Sequence, residues 1–214
     1  QKIHNFCAHE LGGVFLDIIK DRMYVTKSNS NARRSAQFAL FEVADILIRL
    51  VSPILVFTAE EIWQSHELFK RQSVSIFTAP QKTLNEIESS ISDEDWKKIF
   101  AVKDAVNQSI EKARADSVIK GSLDSKIIIS CDKKTYNALE KIEDELKFVF
   151  ISSEVEIAES SSLKLDIKVT NFDQKKCIRC WNKCSSVGLY DEDPDICSRC
   201  YTNVYGDGEI RKFV

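Results

Sequence analysis

The sequence has no excess of positive charge: 30 Lys and Arg stand against 33 Asp and Glu, a formal net charge of −3. This argues against a free-standing DNA-coating protein held by phosphate attraction, so any contact with nucleic acid must come from local patches. Long hydrophobic runs are also missing. The longest span a few residues, such as 54–57, and nothing reads as a membrane span or a secretory leader. Neither G-x-x-x-x-G-K-[ST] nor G-x-G-x-x-G occurs, which removes two common phosphate cradles. Histidine is limited to His4, His9 and His66, none with a carboxylate or nucleophile partner in sequence, and nothing supports an autonomous catalytic site. Before residue 177 the only cysteines are Cys7 and Cys131, in apolar surroundings that suit reduced, buried thiols. A reducing, cytoplasmic compartment is the expectation. There is no initiator Met, and "QKIHNFC" opens inside a periodic apolar pattern, as a cut within a longer polypeptide would.

What is present is an ordinary soluble composition, 43% apolar and 29% charged over 214 residues, enough for a real core. Ile3, Phe6, Cys7, Val14, Phe15, Ile18 and Ile19 fall largely at helical spacing, and the face continues to Val25. Gly12 and Gly13 make a soft spot in that helix, at about 1 kcal/mol each relative to Ala. "TKSNSN" reads as a turn. A second helix starts at Asn31 with Ala36, Ala39, Leu40, Val43, Ile46, Leu47, Leu50 and Val51 inward, and Pro53 ends or kinks it. Thr58 and Glu61 at capping-box spacing predict a third helix from Ala59 to about Leu68. Residues 71–91 read as a surface excursion. Ser92 then caps a long fourth helix with Trp96, Ile99, Phe100, Val106, Ile110 and Ala113 on one face. Four amphipathic helices make a bundle economical.

After Gly121 the period changes. "KIIIS" is a strand, "KKTYNALEKIEDELKFVF" a helix running into a strand, and "EVEIAE" and "LKLDIKVT" alternate as strands do, joined tightly through "ESSSL". The predicted organisation is a helical bundle over 1–91, the long helix plus a small α/β module over 92–170, and a cysteine module over 171–214.

In that last segment Cys177, Cys180, Cys197 and Cys200 form C-x2-C, a sixteen-residue spacer, and C-x2-C. Each pair can sit on a knuckle that points both sulfurs at one ion, and four thiolates favour a structural zinc. A disulfide framework and a redox or iron–sulfur role are the competing readings; a redox dithiol needs only one C-x-x-C. Cys184 lacks the knuckle spacing and reads as a spare thiol. Asp191, Glu192, Asp193 and Asp195 read as a solvated acidic turn. Around the first knuckle Lys175, Lys176, Arg179 and Lys183 face a single acid, Asp173, and Trp181 follows the second ligand. An exposed Trp beside an Arg suits stacking on an unpaired base. Equally, Trp181 could cover the knuckle as a miniature core.

The segments "HNFCAHELGGVFLDIIKDRMYV", "ARRSAQFALFEVADILIRLVSPILVFTAEEIW", "VNQSIEKARADSVIKGSLDSKIII" and "CIRCW…CSRCYTNVYGDGEIRKFV" together resemble the C-terminal part of bacterial-type isoleucyl-tRNA synthetases. The resemblance covers almost the whole chain in order. Its middle is shared more weakly with the valyl and leucyl enzymes, while C-x-R-C-W followed by N-x-x-G-D-G-E-x-R-x-F points to the isoleucyl family. It implies a mainly α fold: a class Ia synthetase-type anticodon-binding helical bundle, a small α/β module and a C-terminal four-Cys zinc finger.

It further implies that the whole protein, a monomer, joins isoleucine to its tRNA with ATP and Mg2+ and hydrolyses mischarged valine. The catalytic and editing domains, with the HIGH and KMSKS segments, are expected upstream of Gln1 in the same chain, leaving this part non-catalytic. Bundle and finger would hold the anticodon stem-loop of tRNA(Ile). Carried over, Cys177, Cys180, Cys197 and Cys200 match the ligands of one Zn2+, and Arg179 and Trp181 match residues expected at the anticodon. Lys175, Lys176 and Lys183 flank them. Arg22, Arg33 and Arg34, with Lys20 and Lys27, offer a second surface for phosphates or an ordinary solvated helix end. Gly12, Gly13 and Cys184 depart from the family pattern. Two rivals stand: a DNA-repair glycosylase, whose four-Cys finger is similar but which needs an N-terminal proline nucleophile and a basic body, and a purely structural zinc ribbon with Trp181 buried.

Overall fold

The computed structural model describes residues 1–83, 88–161 and 164–214. The chain divides into two compact units, one of residues 1–33 with 89–214 and one of residues 34–88. Among the described residues no helix is long and apolar enough to cross a membrane.

The first unit opens with α1 (Lys2–Asn5), a π-helical stretch Phe6–Phe15 and α2 (Leu16–Val25), in one run. The glycine pair sits in the wide-turned stretch. A Cβ on Gly12 would lie 2.9 Å from the Cys7 carbonyl oxygen, nearer than a side-chain carbon tolerates, so the soft spot takes the form of a changed helical pitch. Cys7, expected buried, is exposed, because this stretch buries none of its side chains.

The helix α6 (Asp93–Ala115) starts where the sequence indicates, with Ser92 Oγ accepting the Asp95 N–H at 3.2 Å. Its buried face is Ile99, Val102, Lys103, Val106, Ile110 and Ala113, whereas Phe100, expected inward, is exposed. Lys103 is tolerated there because its Nζ donates to the Val149 carbonyl at 2.6 Å. Then follow β1 (Ser125–Cys131), α7 (Lys133–Glu140), α8 (Leu146–Val149), β2 (Glu154–Glu159) and β3 (Asp166–Asn171). The sheet runs β2-β1-β3, with β1 parallel to β2 and antiparallel to β3. On β1, alternation buries Ser125, Ile127, Ile129 and Cys131.

The expected passage from helix straight into strand at "KFVF" does not form. Those residues end α8, Ile151 turns the chain with φ +53°, and β2 begins only at Glu154. One core joins the inner face of α6 to β1, Leu139, Leu146, Val149 and Val214, so the fourth amphipathic helix buries its stripe against the α/β module. The "ESSSL" connection ends in Ser162 and Leu163, outside the described residues, as do residues 84–87 of the expected surface excursion. Near the chain's end comes α9 (Ser198–Tyr205), and the Glu145 carboxylate accepts the backbone N–H groups of Phe213 at 3.0 Å and Val214 at 2.6 Å.

The second unit holds most of α3 (Asn31–Val51), with α4 (Val56–Ser65) and α5 (Glu67–Lys70). α3 stops just before Pro53, as the sequence indicates. The Thr58/Glu61 capping box does not form. Leu55 N–H bonds back to Val51 C=O at 2.8 Å, and that turn restarts the helix at Val56 with no side-chain cap. α4 then ends at Ser65 instead of continuing to Leu68, because His66 caps a new turn through Nδ1, which accepts from Leu68 N–H at 3.3 Å.

The unit's core is Ile48, Ala59, Trp63, Phe69 and Ile76, with Phe41 and Ala44. The inner face of α3 is therefore rotated from the expected one: Leu50 is exposed and Asp45 is fully buried. Arg49 Nε and Lys82 Nζ each reach the Asp45 carboxylate at 2.7 Å. Burial alone would raise the Asp45 pKa, but donors from Lys82, Arg49 and Gln72 bring it below the usual carboxylate value. A charge in the middle of an inner face is what the apolar pattern could not show.

Candidate metal centre and nucleic-acid interface

The first cysteine pair sits on a hairpin tip. Lys176 and Lys183 bridge as antiparallel neighbours, Cys177 N–H donates to Asn182 C=O at 2.9 Å, and Trp181 N–H donates to Cys177 C=O at 2.9 Å. The second pair starts a helix: Cys197 is the N-cap of α9 and Cys200 lies in its first turn. Ile178 N–H to Asp195 C=O, 3.1 Å, draws the knuckles together, and Cys197 N–H donates to Cys177 Sγ at 3.3 Å.

All four sulfurs are buried and lie within 4.8 Å of one another. Cys177 to Cys200 and Cys180 to Cys197 are both 3.7 Å, sulfur to sulfur. This is far beyond a disulfide bond of about 2.05 Å. A Zn–S length of about 2.3 Å gives tetrahedron edges of about 3.8 Å, so the donor set fits a single zinc. Without a cation, the thiols of Cys180, Cys197 and Cys200 titrate against one another. Hydrogen bonds from the Cys197 and Cys200 thiols pull the Cys180 pKa well below its ordinary value. Cys197 is pushed up to about 12, chiefly by Cys180, and Cys200 is pushed up by Cys180 and Cys197. A dication removes that mutual penalty. Cys184 is outside the cluster, its Sγ 3.1 Å from Ser186 Oγ.

A small core of Val25, Ile196 and the four cysteines, with Val187 and Tyr201 against it, closes the module. It also fastens the module to the end of α2. Arg199, between two of the cysteines, grips Asp21 with NH1 at 2.7 Å and NH2 at 2.9 Å, and Arg211 NH2 reaches the same carboxylate at 2.7 Å. The Arg199 and Arg211 guanidiniums lie 5.0 and 3.2 Å from the Phe148 ring centroid. Lys27 Nζ donates to Gly206 C=O at 2.7 Å, and Asn203 Oδ1 accepts Lys27 N–H at 3.1 Å. Gly208, at φ +91°, lies where a Cβ would come within 3.0 Å of the Lys27 side chain. No sequence signal marks Asp21 or Arg199, and Arg211 stands in the sequence only as the arginine of N-x-x-G-D-G-E-x-R-x-F, with no role attached.

The residues expected to meet nucleic acid divide by environment. Trp181 is 63% exposed, so the miniature core is built without its ring. It has φ +64°, a left-handed conformation rare for a bulky residue. Lys175 and Lys176 are exposed, and Lys176 lies 3.5 Å from Asp124. Lys183 Nζ donates to Asn171 Oδ1 at 3.0 Å. Arg179 is half-buried, its NH1 donating to the Val25 carbonyl at 2.7 Å. Arg22 Nε donates to Ala32 C=O at 2.8 Å and Arg33 NH2 to Thr26 C=O at 2.6 Å, so both guanidiniums brace the turn after α2. In the second unit Arg34 is exposed, with NH1 3.0 Å from Gln37 Oε1.

Left-handed backbone costs a non-glycine residue about 1–2 kcal/mol. Trp181→Gly is therefore expected to raise thermal stability modestly, read as an upward shift of the melting midpoint. A fall in stability would mean that the ring packs more than its exposure indicates.

Helices, a small mixed sheet and a four-sulfur knuckle pair define a modular protein with a zinc-type metal site. Residues 1–129 match the family model "Anticodon-binding domain of tRNA ligase", and residues 174–203 match "Zinc finger found in FPG and IleRS". The chain belongs to the anticodon-binding domain family of tRNA ligases. It is similar along its whole length to isoleucine–tRNA ligases of Shewanella halifaxensis (42% identity over 229 residues), Alcanivorax borkumensis (41% over 228) and Pseudomonas aeruginosa PAO1 (39% over 225). It spans 24% of the length of each of these relatives.

Proposed function

We propose that this chain is the anticodon-recognition part of an isoleucine–tRNA ligase, binding the anticodon stem-loop of tRNA(Ile) as a cytoplasmic monomeric protein. Isoleucine activation with ATP and Mg2+, and hydrolysis of mischarged valine, belong in this reading to other domains of the same protein. The observation that carries it is the exposed, left-handed Trp181, its N–H bonded to the carbonyl of the metal-site Cys177, in a chain of the anticodon-binding family whose knuckle strand also carries exposed Lys175 and Lys176. A rigid knuckle presents the indole at little entropic cost, and base stacking on it contributes about 1–3 kcal/mol. The lysines act on phosphates, and their share weakens with salt.

A DNA-repair glycosylase leaves residues 1–129 without a role, since they match the anticodon-binding family. The purely structural ribbon is disfavoured by the exposure of Trp181. Equilibrium binding of the zinc-loaded chain to isoleucine tRNA and to the same tRNA with a changed anticodon tests the proposal. Tighter binding of the native anticodon is expected, and equal binding would contradict it.

A further inference from the structure

The last turns of α2, the segment around α8 and the first knuckle enclose a groove of about 500 Å3, lined by Ile18, Tyr24, Leu123, Phe148, Ile151 and Trp181 among others. Such a volume lies in the range of small-ligand pockets. Tyr24 is 76% exposed, more so than Trp181, and among the described residues neither ring stacks on another aromatic ring. Two large aromatic faces are thus open at one concavity.

Backbone strain concentrates in the same place. Among the described residues only Ser117, Ile151 and Trp181 are non-glycines with positive φ, and two of these three line this groove. Ile151 is β-branched and held at φ +53°, a conformation such residues almost never adopt. Strain retained at two walls of one cavity marks a binding surface more than a packing accident.

The charges present narrow the occupant. Asp17 is paired to Lys20 at 2.6 Å, and Asp21 is taken by Arg199 and Arg211. Its cations are engaged as well: Lys20 by Asp17, Arg179 by the Val25 carbonyl at 2.7 Å, and Lys147 over the Phe148 ring at 5.2 Å. With these charges engaged and aromatic and aliphatic walls between them, the groove suits a flat ring, the cations lying at its margin. Resting on the anticodon-binding reading above, we infer that this groove takes one unstacked nucleobase of the tRNA loop, with Tyr24 and Trp181 as its two aromatic contacts. Tyr24, on α2 and 157 positions before Trp181, is then a base-binding residue, and the arginine grip on Asp21 is what holds the two rings around one cavity.

The test uses the zinc-loaded chain and isoleucine tRNA, with Tyr24→Ala, Tyr24→Phe, Trp181→Ala and the Tyr24/Trp181 double alanine variant. Because Tyr24 is exposed, each variant is expected to fold, which circular dichroism and zinc content verify. Tyr24→Ala should weaken binding by roughly 5- to 150-fold, the range for loss of one base–aromatic stack, while Tyr24→Phe keeps most of the affinity. If both rings hold one base, the double variant loses less than the product of the single losses. A 2-aminopurine base in the loop, quenched on binding, should lose that quench in Tyr24→Ala. Unchanged affinity in Tyr24→Ala, equal loss in the Phe variant, or strictly multiplicative losses would overturn the inference. If the parent chain discriminates anticodons but Tyr24→Ala binds like it, the groove assignment falls and the anticodon reading stands; if the parent does not discriminate, both fall.

Discussion

Chelating the metal from the zinc-loaded chain, or replacing Cys200 by Ser, is expected to unfold the cysteine module and leave the α/β core standing. The module's own apolar core is little more than Val25, Ile196 and the ligand cysteines themselves. So small a cluster cannot offset the ordering of some forty residues, and structural zinc contributes an apparent 10–16 kcal/mol at neutral pH in comparable modules. Among the described residues, the core built on β1 and α6 has seventeen buried members, of which only Val214 comes from beyond β3, so it retains its packing. The readouts are about one zinc per chain by elemental analysis, and loss of α9 helicity on chelation. The metal must bind deprotonated sulfurs, so acidification competes with it and zinc release should begin as pH falls below neutrality. A disulfide in freshly isolated protein, or an unchanged module after chelation, would refute this.

The second large effect is expected at Asp21. Its carboxylate takes three guanidinium hydrogen bonds, from Arg199 at 2.7 and 2.9 Å and from Arg211 at 2.7 Å, and the Arg211 side chain is only 2% exposed. Burial alone would lower the Arg199 pKa, but Asp21 raises it well above the ordinary value, so the guanidinium stays charged. Removing one partner of such a buried pair strands the other, at about 3–5 kcal/mol. Asp21→Ala should therefore lower stability by that amount in urea titration while zinc remains bound, because no sulfur is touched. Binding to tRNA should also fall, since the cysteine module loses its ionic attachment to α2 and keeps the Trp181 knuckle there through Arg179 NH1 on the Val25 carbonyl. A loss under about 1 kcal/mol, as for a surface pair, would show that the grip is not structural.

The metal site was legible because ligand spacing is local: two residues between cysteines set a knuckle whatever surrounds it. The α6 start, the end of α3 and the alternation of β1 were legible for the same reason, each resting on a cap, a proline or a two-residue period. What stayed hidden depends on contacts across the chain. Asp21 meets residues 178 and 190 positions away, and no periodicity encodes that. Asp45 and Lys103 disguised buried helix faces because each carries a charge that only a distant donor or acceptor makes tolerable. At the turn after α2, Arg22 and Arg33 read either as a surface for phosphates or as an ordinary helix end, and their bonds to the Ala32 and Thr26 carbonyls are contacts that no periodicity announces. Tyr24 lies in the last turn of α2, and no local pattern distinguishes it there. Its role depends on what faces it.

The most direct measurement for the account as a whole is chemical footprinting of isoleucine tRNA by the zinc-loaded chain. The anticodon loop is expected to be protected and the acceptor arm not, and the loop protection to be lost when the metal is chelated. Protection confined to the acceptor arm, or loop protection that persists after the metal is removed, would contradict it.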